Sequence, residues 1–195
     1  MKLVYPPYPA PVLPRPTAVN PSPTLVPGVE MFPVVDLTGM VIGQMTRAYA
    51  HGGERLLHPV VHLHVLDRQG RLYLQQRSFE KDLLPGYWDT AVGGHVSYGE
   101  QIIEALFREA AEELGLRDFN PDLLDTYVFE GIQEKELVSV FACVGAYEPK
   151  PDGTEVIGGR FWTFKEIEDN LGKSVFTPNF EGEFARIRGA LESLL

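Results

Sequence analysis

A single cysteine, Cys143, stands in 195 residues. No intramolecular disulfide can form, and zinc sites made of four cysteines, or of two cysteines and two histidines, are excluded. Basic residues are scarce as well: 17 Lys and Arg against 27 Asp and Glu leave a formal charge of −10. That balance opposes binding along a phosphate backbone, so no nucleic-acid polymer is expected as partner. The chain contains no apolar run near the roughly 18 residues of a membrane span, and its first residues lack a basic segment followed by an apolar one. These absences set the expectation of a cytoplasmic protein that does not engage a membrane. Hydrophobic residues at 44% and charged residues at 23% are ordinary globular values, which exclude fibrous, coiled-coil and wholly disordered classes.

Proline is abundant, but it is confined. Ten of the 16 prolines fall between residues 6 and 33, so this beginning sustains neither a helix nor a central strand. Residues 1–29 read as an extended proline-rich arm, either draped on the surface or offered to a groove-bearing partner, and residues 30–195 as the folded domain. From Met31 onward short β-like runs alternate with turns. PVVDL and MVIGQM flank Thr38-Gly39, and HPVVHLHVL and RLYLQQ flank Asp67 to Gly70, which favours antiparallel pairing. Further strands are expected at 122–131, 137–147 and GRFWTF.

One long helix is expected from about Glu100 to Leu114, stopped by Gly115, with Ile103, Leu106, Phe107, Ala110 and Leu114 as its apolar stripe. Thr163 with Glu166 makes a capping box for a short helix, and a closing helix runs from about Asn179 with Phe184, Ile187 and Leu191 in phase. Strands mixed with a few helices give an α/β (α+β) layered domain with the long helix on a sheet.

On that helix Glu109, Glu112 and Glu113 occupy positions i, i+3 and i+4 and share one face. Like charges at this spacing repel by roughly 0.2 to 0.5 kcal/mol per pair, so their concentration suits either a solvated acidic face or a divalent cation. Hard oxygen ligands favour Mg2+ or Mn2+. Around them Gly94, Glu100, Arg108, Glu109, Glu112, Glu113 and Gly115 satisfy every fixed position of the Nudix box. The sequence thus resembles a Nudix hydrolase. The resemblance implies an α/β/α sandwich with a mixed sheet and Mg-dependent cleavage of a small-molecule diphosphate, a nucleoside diphosphate linked to another moiety. It also implies Glu109, Glu112 and Glu113 as metal ligands, the Gly94 carbonyl as a further ligand, and Arg108 as the residue that orients the glutamates.

The chain is similar, more specifically, to the isopentenyl-diphosphate isomerase branch of the superfamily over roughly residues 31–180. All five histidines lie between 51 and 95. His51, His58 and His95 with Glu134 and Glu136 match that branch's metal shell, and Arg77 and Lys81 match its diphosphate contacts, both able to give charge-assisted hydrogen bonds to phosphate. Metal-free lining of a pocket, with His95 as a phosphate contact, is the competing reading of the three histidines. The isomerase's catalytic cysteine falls on Gly93, which argues against isomerisation.

The general base of a hydrolase is expected at Glu136 or Glu134 ahead of Glu155, and His62 and His64 are expected to be packing or hydrogen-bonded residues on one sheet face. Trp88, Trp162 and Tyr87 suit core or rim packing. Isomerase-type activity and a non-catalytic nucleotide-sensing module stand as alternatives to hydrolysis. A homodimer is expected by analogy with related enzymes.

Overall fold

The apolar run at 57–66 makes the strand on which the domain is organised. In the computed structural model, which describes residues 28–80, 84–154 and 156–195, β3 (Leu57–Leu66) is buried along its whole length. It pairs in parallel with β8 (Lys135–Val144) from Leu57↔Lys135 to Leu66↔Val144, and β7 (Asp122–Glu130) returns antiparallel beside β8. These central strands read as near-continuous hydrophobic runs because both of their faces are covered.

On its other edge β3 forks. The hairpin to β4 (Leu72–Arg77) pairs only Val65↔Tyr73 and Leu66↔Leu72 before the two strands diverge. Beyond that point β6 (Val92–His95) takes the edge of β3, and β5 (Trp88–Asp89) takes that of β4. β9 (Val156–Trp162) closes the outer edge of β4. The result is a mixed seven-stranded sheet, as expected, with a cleft held open between β4 and β6.

Successive β3 residues face opposite sides. Val61, Leu63 and Val65 pack with Leu106, Ala110 and Leu114 of α2 (Ile102–Leu114), whereas Val60 and Leu66 pack with Phe180, Phe184, Ile187 and Leu191 of α4 (Pro178–Ser193). The short α3 (Phe164–Asn170) joins the second layer through Ile167. This is a helix, sheet, helix sandwich. α2 starts two residues later than expected: Gln101 and Glu104 form the capping box, which releases the Glu100 carboxylate for other partners. Ile103, in phase with Ala110 but in the first turn, is exposed, and Ile102 and Ala105 pack there instead. Gly115 ends α2 at φ +65. No helix among the described residues is long and apolar enough to cross a membrane.

A separate hairpin, β1 (Met31–Val35) and β2 (Val41–Thr46), leads into the unexpected one-turn α1 (Arg47–Ala50), capped by Thr46. Phe32, Met45 and Ala50 form its own small core. Of the proline-rich arm, residues 1–27 lie outside the described residues, as do Lys81 and Glu155.

Candidate functional site

Arg108 organises the acidic face of α2. Its Nε and Nη2 donate to the two oxygens of Glu100 at 2.8 and 2.9 Å, and Nη1 donates to Glu109 at 2.8 Å and Glu112 at 3.2 Å. Nη2 also donates to the His95 carbonyl at 3.0 Å, which ties the helix to β6. Burial works to raise the Glu100 carboxyl, but the Arg108 and Ser97 hydrogen bonds outweigh it and hold it below its ordinary range. For Glu109 the order is reversed: burial dominates over Arg108 and keeps the carboxyl high. Gly94 makes this packing possible, since a Cβ there would overlap the Glu109 carboxyl group. Glu113, one turn on, reaches the fork in the sheet, where its Oε2 accepts from Gly93 N and Gln75 Nε2 at 3.4 Å each.

A second cluster lies beyond β6. In the parallel β3 and β8 register His58 stands beside Glu136, and the antiparallel β3 and β6 register brings His95 opposite Val60. One ligand atom each from His58, His95, Glu134 and Glu136 falls within 4.8 Å of the others. His51, the residue that ends α1, approaches from the hairpin side: its Nδ1 is 2.8 Å from Glu134 Oε2, at an angle that leaves this oxygen without a hydrogen bond. His58 Nδ1 donates to the Leu56 carbonyl at 3.0 Å, so the ring presents Nε2 as a lone pair. Phe32 stacks on His95 at 4.4 Å and steadies its plane.

Nε2 of His51, His58 and His95 are all buried without a hydrogen-bond partner among the described residues. Burial, and next to it the other cationic-capable groups around the cluster, push His95 well below the ordinary imidazole range, and burial also lowers His58. Neutral imidazoles with converging lone pairs beside two carboxylates fit a divalent metal ion, and their orphaned atoms are what such an ion would satisfy. Glu136, 7% exposed, has its carboxyl raised to about 7 by burial and then by Glu134.

Both clusters open on common space. A cavity of about 890 Å³ is lined by His51, His95, Glu134, Glu136, Arg77 and Asp89 and extends through the fork to Glu113. A cleft of about 270 Å³ continues along Glu109, Glu112 and Arg108, and the two share Gly93, Gly94, His95 and Glu113. Arg77 Nη1 stands 3.5 Å from Asp89 Oδ2 at the cavity wall. On the α4 side, Glu183 accepts from His62 Nδ1 at 2.7 Å, His64 Nε2 at 2.6 Å and the Tyr127 hydroxyl at 2.8 Å. Trp162 is buried against Trp88 and Phe176 in the α4 core.

A family model described as NUDIX domain matches residues 56–180. The chain belongs to the Nudix family. It is 32% identical over 173 residues to an isopentenyl-diphosphate Delta-isomerase of Streptomyces griseus, covering 84% of this chain and 86% of that one. It is also 32% identical over 163 residues to an uncharacterized Nudix hydrolase of Streptomyces coelicolor, covering 82% and 88% respectively. A crystal structure from Deinococcus radiodurans matches 80% of this chain and 98% of its own with a TM-score of 0.70 at 23% identity, which shows the shared fold. Family and relatives together support a hydrolase.

The Nudix fold thus gathers residues from five separate stretches: the end of α1, β3, β6, the Nudix helix, and the start of β8. Sequence reasoning missed Asp89, Gln75 and Glu183. Glu183 did carry a signal, because it falls on the apolar face of α4 between Phe180 and Ile187, where a carboxylate is out of place.

Proposed function

We propose that the chain is a pyrophosphohydrolase that splits the diphosphate linkage of a nucleoside diphosphate joined to another moiety. Mg2+ or Mn2+ would be held by Glu109, Glu112 and Glu113 with the Gly94 carbonyl. The observation that carries this reading is Arg108, whose one guanidinium fixes Glu109 and Glu112 while Glu100 and the His95 carbonyl fix the guanidinium. When bound, the ion neutralises diphosphate oxygens and lowers the pKa of an attacking water. Arg77 and Lys81 bind the diphosphate, and the wall of the large cavity receives the attached group. Glu136 is assigned to take the proton of an attacking water, ahead of Glu134, when the histidine cluster carries no ion, because burial and then Glu134 raise its carboxyl to about 7. His51, His58, His95, Glu134 and Glu136 are the residues that would hold a second ion.

Mass spectrometry of products tests the reading. Purified protein with Mg2+ or Mn2+ is offered nucleoside triphosphates, dinucleotides, nucleotide sugars, coenzyme A, flavin nucleotides and isopentenyl diphosphate, with Glu113→Gln in parallel. A product pair split at the diphosphate, and absent in the variant, is expected. Equal turnover in Glu113→Gln would refute the assignment of the site.

Isomerase chemistry is the second reading, favoured by the relatives of that name and by the histidine and glutamate cluster. Gly93 opposes it, since it puts no thiol in the cavity. Formation of dimethylallyl diphosphate in the same assay would reverse the ranking.

A further inference from the structure

Glu183 has no role in the hydrolysis described above, yet it is 1% exposed and charged among aromatic side chains of α4. A buried carboxylate of this kind needs a compensating cation. Two imidazoles touch it. His64 is fully buried, gives its Nε2 proton to Glu183, and has a buried Nδ1 with no hydrogen-bond partner among the described residues. A proton on that Nδ1 would be an unpaired charged donor in the core, which costs far more than an unpaired lone pair. His62 is the ring of the two whose second nitrogen reaches the cavity.

His62 gives its Nδ1 proton to Glu183 at 2.7 Å. Its other nitrogen, Nε2, has no protein partner among the described residues, although the residue is 8% exposed and lines the large cavity. Gly93 lies directly across the β3 and β6 pairing from His62. A Cβ at Gly93 would stand 3.6 Å from His62 Nε2, so the missing side chain leaves that nitrogen open to the cavity. Glu136 and Asp89 face the same ring, and Arg77 faces Asp89.

We propose that Glu183 and His62 form an anion-binding dyad, in which the His62 Nε2–H, uncovered by Gly93, donates to a phosphate oxygen of the substrate in the cavity that Glu113 also lines. Glu183, with Tyr127 and His64 fixing its two oxygens, is the positioning residue; His62 touches substrate. This deepens the hydrolase reading and rests on it for the identity of the phosphate. Glu109, Glu112 and Glu113 would hold the cation that neutralises the diphosphate, and His62 would offer a preorganised donor to negative charge gathering on the departing phosphate. Burial alone would lower His62, but the Glu183 carboxylate overrides it and raises the ring to about 9, in keeping with a cation at neutral pH.

The test is calorimetric binding of methylenediphosphonate, which cannot be cleaved between its phosphorus atoms, in the presence of Mg2+. Against the full-length protein, His62→Gln is expected to weaken binding roughly 10- to 100-fold, the loss of one charged hydrogen bond. Gly93→Val removes none of the hydrogen-bonding groups around Glu183, sets its side chain against Nε2, and is expected to weaken binding comparably, which keeps the test decisive where His62→Gln does not fold. His64→Gln removes a Glu183 contact without a cavity-facing atom and is expected to bind within about twofold of the parent. Unchanged binding in His62→Gln or Gly93→Val overturns the dyad. Equal weakening in all three variants overturns it too, since that pattern marks a purely structural role. Tight binding that depends on His62 in a protein that splits no substrate would refute hydrolysis and leave the dyad standing.

Discussion

Replacing Glu183 by Gln tests the account of the buried charges without any substrate. The carboxylate accepts three hydrogen bonds, from His62, His64 and Tyr127, and is 1% exposed. An amide has one acceptor oxygen, so at least one donor loses its partner, and the imidazolium loses its counter-charge. Breaking a buried ion pair on one side costs about 3 to 5 kcal/mol, and the lower end applies because His62 can shed its proton. For a domain of this size about 3 kcal/mol lowers Tm by roughly 6 to 12 °C.

The dependence on pH is more specific. His62 sits above its ordinary value of 6.5, at about 9, once Glu183 outweighs burial; its contribution is complete below 6.5 and is lost as pH rises toward 9. Glu183 sits below its ordinary 4.5 despite burial, because of the two histidines, so its contribution is present above 4.5 and is lost as pH falls further. Thermal unfolding followed by circular dichroism should show the parent losing stability between pH 6.5 and 9, by at most about 1.4 kcal/mol per pH unit for one proton. Glu183→Gln should be flatter there. A variant with the parent's Tm and the parent's slope would refute the reasoning.

Adjacent glycines should behave differently. Gly94→Ala forces the Glu109 carboxyl away from Arg108 and, on the proposed metal-binding role of Glu109, should lower kcat about 100-fold or more. Gly93→Ala meets only ordinary contacts at 3.5 to 3.8 Å and should unfold within about 3 °C of the parent by scanning fluorimetry. Protein purified in the presence of manganese should retain about one ion per chain at the histidine cluster by elemental analysis, and His95→Ala should lose it. Equal metal content in the two would remove that site. Tyr127→Phe deletes a hydroxyl that donates to Glu183 and lies 2.9 Å from Asn179 Oδ1, and should cost about 1 to 2 kcal/mol in urea unfolding without moving the metal content.

The Nudix helix was legible residue by residue, because its chemistry is local: carboxylates at i, i+3 and i+4 share a face wherever the helix is placed, and Gly115 ends it through a conformation glycine adopts freely. The β3 and β4 hairpin and the α4 stripe were legible for the same reason. Helix α1, β5 and β6 were not, since elements of two to four residues carry too few positions to show a period. Ile103 shows the limit of the pattern itself, for its phase is that of the core and its place in the first turn is not.

His62 and His64 announced their shared face through alternation along β3, and by itself the sequence determined that much, together with the box, the family and the layered class. Which partner those rings would find was decided by tertiary structure alone. Glu183 is 121 residues away from His62 and arrives only because α4 packs on the face of β3 opposite the Nudix helix. Likewise His58 and Glu136 meet through the parallel register of two strands remote in sequence, and Glu113 enters the same cavity only because β3 and β4 part after two residue pairs. Periodicity records which side of an element a residue occupies, whereas non-local pairing and packing decide what stands on that side.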